Sequence, residues 1–173
     1  PDNLAPAFYG GLTASMVDNG LPVTVSFPLH PDWEFLALIP HFDLPTTKAR
    51  AVLPEQVSRA DAIYNISHGA MVLKALELGD EKLLRNAMQD RLHQNYRKKL
   101  IADYEKIEGL VRTTGAAFCL SGAGPTLLCI TLDEKLEDKL AAKLPTIAKA
   151  NWQILPLHIE FQGAHILKEE EIL

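Results

Sequence analysis

Cysteine occurs only at Cys119 and Cys129 in 173 residues, and no Cys-x-x-Cys, His-Glu-x-x-His or EF-hand spacing is present. That rules out a disulfide framework and leaves no case for a structural metal. Both cysteines lie within apolar runs, so they are expected as reduced core residues of a cytoplasmic protein, bridged only if their strands are neighbours. No apolar stretch reaches the length of a membrane span and no signal-peptide pattern is present, so no membrane partner is expected. A surplus of basic residues is missing too. Lys and Arg total 17 against 22 Asp and Glu, a net charge of −5, and no basic run occurs. This argues against a nucleic-acid partner. Also absent are a Walker loop, an internal repeat and any low-complexity segment. What remains is ordinary for a globular chain, 47% apolar and 23% charged, long enough for one domain or one domain plus a remnant of another. The chain opens Pro1-Asp2-Asn3 without methionine. We therefore expect a piece of a longer protein.

The most informative stretch is Ser121-Gly122-Ala123-Gly124-Pro125-Thr126, set between the apolar runs Ala117–Leu120 and Leu127–Ile130. Short apolar runs bounded by turn signals read as buried strands. Gly122 and Gly124 permit positive φ and close approach to a ligand, while Pro125 fixes the exit direction. Successive N–H groups in such a loop can form an anion-binding concavity. On its own, a tight glycine-rich connection is the simpler account. A strand rather than a helix follows it, so it is not a dinucleotide fingerprint.

Residues 3–9 read as a short helix capped by Asn3 and stopped by Gly10-Gly11. Leu12–Met16 and Val23–Phe27 read as strands around an Asp18-Asn19-Gly20 turn. Trp33–Pro40 is a strongly apolar strand. Thr46 or Thr47 is expected to cap one helical turn ended by Pro54, placing Lys48 and Arg50 near its start, where the helix dipole does not favour cations. Ser58–Leu78 is the longest helix, with Ile63, Ile66, Ala70 and Leu73 as its expected apolar stripe and Gly79 at its end. Asp80 caps a shorter helix carrying Leu83, Leu84, Ala87 and Met88. The polar stretch 90–97 precedes a helix with Tyr104, Ile107, Leu110 and Val111. Asp133 is expected to cap a helix built on Leu136, Leu140 and Leu144 and closed by Pro145. Trp152–Phe161 is a final strand, Ala164–Leu167 an additional edge strand, and 168–173 a frayed tail. From residue 33 the order is βαββαβ with helices inserted in the first crossover, which predicts an α+β fold of the split βαβ, ferredoxin-like kind.

Three segments together resemble one family. Pro1-Asp2-Asn3-Leu4-Ala5-Pro6-Ala7 is similar to the His-Pro-Asp-Asn segment of homoserine kinases. Thr46 to Pro54 is similar to their threonine-to-arginine segment, and Ser121 to Thr126 resembles the third signature motif of the GHMP small-molecule kinases. The family's Pro-x-x-x-Gly-Leu-Gly-Ser-Ser-Ala nucleotide loop does not occur here. The resemblance therefore implies the C-terminal portion of a homoserine kinase: residues 1–30 a remnant of the nucleotide-binding domain, 31–173 the GHMP kinase C-terminal domain. It implies ATP and Mg2+ as cofactors of the full-length enzyme, L-homoserine and the missing N-terminal half as partners, and neither ATP nor metal held by this portion alone. This portion alone is expected to be inactive.

The resemblance also implies roles. Arg50 and Arg97 would hold the substrate carboxylate, Arg97 closing an Asp-x-x-His-x-x-Tyr-Arg-like stretch at Asp90, His93 and Tyr96, with Arg91 a weaker candidate. Asn3 would bind the amino acid, the Thr46 hydroxyl would lie near the transferred phosphate, and the Gly122, Ala123 and Gly124 backbone would close over the substrate. Such roles fit the chemistry, because a planar guanidinium matches a carboxylate and phosphoryl transfer asks mainly for positioning. Two rivals remain, another GHMP kinase of the mevalonate type and a non-catalytic ferredoxin-like module that binds amino acids. A homodimer is left open.

Overall fold

The computed structural model describes residues 4–165. Its elements run α1 (Leu4–Tyr9), β1 (Leu12–Asp18), β2 (Leu21–Phe27), β3 (Glu34–Pro40), α2 (Thr46–Ala51), α3 (Arg59–Leu78), α4 (Glu81–Ala87), α5 (Gln94–Arg97), a 3-10 turn (Lys98–Leu100), α6 (Tyr104–Thr114), β4 (Ala117–Leu120), β5 (Leu127–Thr131), α7 (Leu136–Ile147) and β6 (Trp152–Leu157). The chain divides into two compact units, residues 1–29 with 158–173, and residues 30–157.

In the first unit, β1 and β2 pair antiparallel from Leu12 opposite Phe27 to Asp18 opposite Leu21. Asn19 and Gly20 close the hairpin, both with positive φ (48° and 80°), as a two-residue turn between right-twisted strands requires. The Gly11 N–H donates to the Glu160 carbonyl at 2.7 Å. A side chain at Gly10 would put its Cβ 2.6 Å from the Phe161 backbone, so only glycine fits there.

The second unit carries one antiparallel sheet in the order β4-β5-β3-β6. Leu36 and Leu38 of β3 join Leu127 and Cys129 of β5 in a core with Ile107 and Val111 of α6 and Leu136, Leu140 and Leu144 of α7. Glu81 ties α4 to the sheet, its carboxylate accepting from the Thr131 hydroxyl and the Leu132 N–H. The βαββαβ order expected from residue 33 is the order found.

Several local expectations fail for identifiable reasons. Pro45 holds the position before α2 and no side chain caps that helix. Thr46 and Thr47 are its first two residues, and Arg50 falls in its last turn, where the dipole favours a cation. Ile63, Ile66 and Ala70 face solvent, and α3 buries Ala75 and Leu76 instead. Apolar residues lie all around this helix, so the sequence does not single out its buried side. Pro145 does not close α7, which runs two residues further. A proline in the last turn forfeits one N–H bond without ending the helix at once. Lys135, rather than Asp133, occupies the cap position of α7, and the Asp133 carboxylate accepts the Lys135 N–H. Strand β6 ends at Leu157, four residues short of Phe161. Ala164 and His165 are not strand, and the rest of the expected edge strand, with the tail 168–173, lies outside the described residues. By contrast Ser58, Asp80, Gly79 and Gly115 cap as their residue types predict.

Candidate functional site

The polar stretch 90–97 folds as a ledge built around one carboxylate. Asp90 accepts from the N–H groups of His93 (2.7 Å) and Gln94 (2.6 Å) and from the Asn65 amide of α3 (2.7 Å). Burial alone would raise its pKa. The Gln94, His93 and Asn65 hydrogen bonds together outweigh that and hold the carboxyl below the usual carboxylate range. The Gln94 side chain in turn accepts the Leu120 N–H at 2.9 Å, fixing the strand end that enters the glycine loop.

The ledge aims Arg97. Its Nε donates to the Ala49 carbonyl of α2 at 3.1 Å, and its Nη1 donates to the Gly122 carbonyl at 3.2 Å. One half-buried guanidinium therefore spans α2 and the loop, segments 73 positions apart in sequence. His93 lies alongside, its Nδ1 3.4 Å from Arg97 Nη1 and its Nε2 3.7 Å from Asp90. Burial, and then the Arg97 charge, lower the His93 pKa although Asp90 opposes them. A neutral imidazole beside a permanent cation avoids like-charge repulsion.

Arg50 directly follows Ala49, is exposed, and makes no ion pair or side-chain hydrogen bond among the described residues. Thr46 lies one turn earlier on the same helix, so both can share a face. In the loop, Ser121 N–H donates to the Thr126 carbonyl (2.9 Å) and Gly124 N–H to the Ser121 carbonyl (3.0 Å). The N–H groups of Gly122 and Ala123 have no acceptor among the described residues. Gly122 and Gly124 both have positive φ (58° and 78°), and a Cβ at Gly124 would sit 3.2 Å from Ile101 Cδ1. Arg91 is engaged elsewhere, its guanidinium 3.7 Å from the Tyr64 ring centroid and 3.7 Å from the Asp61 carboxylate. Asn3 lies outside the described residues.

The structure thus brings Arg97, the backbone beside Arg50, and Gly122 together. Sequence reasoning missed the bracing groups Asn65 and Gln94. A half-buried amide that serves only backbone and carboxylate partners leaves no pattern of its own.

Residues 72–150 match the family described as GHMP kinases C terminal. Beyond these residues, the chain is 36% identical over 179 residues to a homoserine kinase of Clostridium botulinum, 97% of this chain and 57% of that protein. A homoserine kinase of Nostoc punctiforme is 39% identical over 172 residues, 95% and 55% respectively. The chain spans about 57% of the length of the curated relatives it matches. Among solved structures, a putative homoserine kinase from Listeria monocytogenes superposes with a TM-score of 0.72 at 27% identity, covering 98% of this chain and 56% of that one. A homoserine kinase from Cytophaga hutchinsonii gives 0.82 at 23% identity, covering 94% and 52%, a likeness of fold. The matched residues take in the glycine loop, α6, α7 and the strands β4 and β5, while α2 with Arg50 precedes them.

Proposed function

We propose that this chain forms the substrate-holding portion of a homoserine kinase. The full-length enzyme would transfer the γ-phosphate of ATP to the hydroxyl of L-homoserine, giving O-phospho-L-homoserine for threonine biosynthesis. The observation that supports this most is Arg97 bridging the carbonyls of Ala49, which directly precedes Arg50, and Gly122. In this reading Arg50 and the remaining Nη2 edge of Arg97 hold the α-carboxylate. The Gly122 and Ala123 N–H groups face the substrate or phosphate end, Gly124 shapes the bend, and Thr46 orients the hydroxyl near the transferred phosphate. Asn3 would contact the amino acid. Phosphoryl transfer draws its rate mainly from such positioning and from charge stabilisation.

In this reading ATP and Mg2+ would be held elsewhere in the full-length protein. The order β4-β5-β3-β6 supports the split βαβ, ferredoxin-like reading of the second unit. We assign residues 1–30 to the nucleotide-binding half and 31–173 to the C-terminal domain. The free thiols Cys119 and Cys129 fit a cytoplasmic location.

The test is steady-state ADP release by the full-length protein. L-Homoserine should be turned over and mevalonate, which lacks the α-amino group, should not. Arg50→Ala and Arg97→Ala should each raise KM for homoserine roughly 30-fold or more, as loss of a charge-assisted carboxylate contact costs about 2–5 kcal/mol. Turnover of homoserine that is indifferent to both substitutions would overturn the site. Turnover of mevalonate instead would overturn the substrate.

A further inference from the structure

Strand β4 is an edge of its sheet, and its outward backbone groups are met unevenly. The Ser121 N–H donates to the Thr126 carbonyl, so antiparallel alternation turns the N–H and C=O of Phe118 and Leu120 away from β5. Gln94 accepts the Leu120 N–H at 2.9 Å. Past the other end of the strand, Arg85 Nη1 donates to the Gly115 carbonyl. Between these two bridges Phe118 is left open: neither its N–H nor its C=O finds a partner among the described residues. Open edge groups of this kind are a template for an incoming backbone.

A cleft of about 440 Å³ lies at this point, lined by Arg85 of α4, Glu108 and Arg112 of α6, and Phe118. The Glu108 side chain is only 22% exposed, and its Oε1 accepts from Arg112 Nη2 at 2.8 Å. The Oε2 of Glu108, the Nη1 of Arg112 and the Nη2 of Arg85 make no hydrogen bond among the described residues. Two guanidinium groups against one carboxylate leave the cleft one positive charge in excess.

These open groups specify a ligand chemistry. In a paired strand, one residue answers both the N–H and the C=O of its neighbour. A free α-amino acid does the same with its carboxylate and its ammonium, and Glu108 gives the ammonium a counter-charge. A planar guanidinium fork suits a second carboxylate, which also brings the ligand to the net −1 that the cleft complements. We propose that this cleft binds a free acidic α-amino acid. Its ammonium meets Glu108 and the Phe118 carbonyl, its α-carboxylate the Phe118 N–H and Arg112, and its side-chain carboxylate Arg85. Neither Arg50 nor Arg97 lines the cleft, so the assignment stands apart from the substrate proposed above.

Isothermal titration calorimetry on the full-length protein, with L-glutamate as the probe, tests this. Saturable binding at about one site per chain is expected, roughly tenfold or more tighter than for glutarate, which lacks the ammonium, or L-alanine, which lacks the second carboxylate. Glu108→Gln should erase the preference for L-glutamate over glutarate, a change that general loss of stability would not give. Arg112→Gln should weaken both ligands while circular dichroism shows the fold kept. Arg50→Ala should leave L-glutamate binding as it is, which separates this cleft from the homoserine site. The proposal is overturned by the absence of saturable heat at every attainable concentration, or by equal affinity for the three ligands. It is equally overturned by Glu108→Gln and Arg112→Gln variants that bind like the wild type, or by loss of binding in Arg50→Ala.

Discussion

Arg97 Nε donates to the carbonyl of Ala49 at 3.1 Å, and the residue after Ala49 is Arg50, the other cation of the candidate site. The two guanidinium groups are 47 positions apart in the chain, yet the side chain of one grips the backbone next to the other. Arg97→Lys keeps the charge but removes the planar fork, so Ala49 and Gly122 cannot both be held. On the function proposed above, KM for homoserine in the full-length protein should rise about tenfold, roughly 1.4 kcal/mol, while Arg50→Lys, which breaks no such bridge, should have the smaller effect.

Asp90 accepts three hydrogen bonds that set the course of α5. Asp90→Asn keeps the shape but replaces an acceptor oxygen with a donor facing N–H groups. A loss of about 1–3 kcal/mol in urea unfolding is expected, with a rise in KM and little change in kcat, since the variant moves Arg97 and touches no reacting atom.

Acid should unfold the second unit in two stages. His93 has a folded pKa below its usual 6.5, so its contribution is present above that value and is lost as pH falls through the folded pKa. Asp90 is likewise depressed below 3.8, and its contribution is lost as pH falls through its own lower folded value. Unfolding free energy against pH should decline below about 6.5 and steepen below about 4. Asp90→Asn should make the lower step shallower without removing it, because Asp103 and Asp133 are depressed as well, and His93→Gln should remove the upper one.

The thiols of Cys119 and Cys129 are both pushed up to about 12, by burial in each case and, for Cys129, also by Cys119 beside it. Neither should react with iodoacetamide at neutral pH in the folded protein. Both should react once urea unfolds it, which mass spectrometry reads as two added groups.

Gly124→Ala strains a position with φ 78° and sets a methyl 3.2 Å from Ile101. About 1–2 kcal/mol of stability should be lost. At Gly122 the space is open, so the cost there is backbone strain alone.

Much of this architecture is written in local chemistry. Ser58, Asp80 and Gly79 mark helix ends because capping is settled within four residues, and Asn19-Gly20 marks its hairpin because few residues tolerate positive φ. The βαββαβ order reflects apolar runs separated by such punctuation. The buried side of α3 was not legible, because its choice depends on what Ala75 and Leu76 meet far along the chain. The site divides the same way. Arg50, Arg97 and the glycine loop could be named from motif resemblance. That Arg97 reaches α2 through Ala49, braced by Asp90 and Gln94, depends on tertiary geometry that no spacing encodes.

The bridge from Ala49 to Gly122 has an energetic corollary. With two nitrogens of the Arg97 guanidinium already tethered to main chain, the proposed carboxylate site would forfeit little motional freedom on binding an anion, so more of the contact energy would be retained as affinity. A ligand that drew Arg97 away would have to break both tethers at once, so the proposed site would favour anions that fit the guanidinium where it already stands.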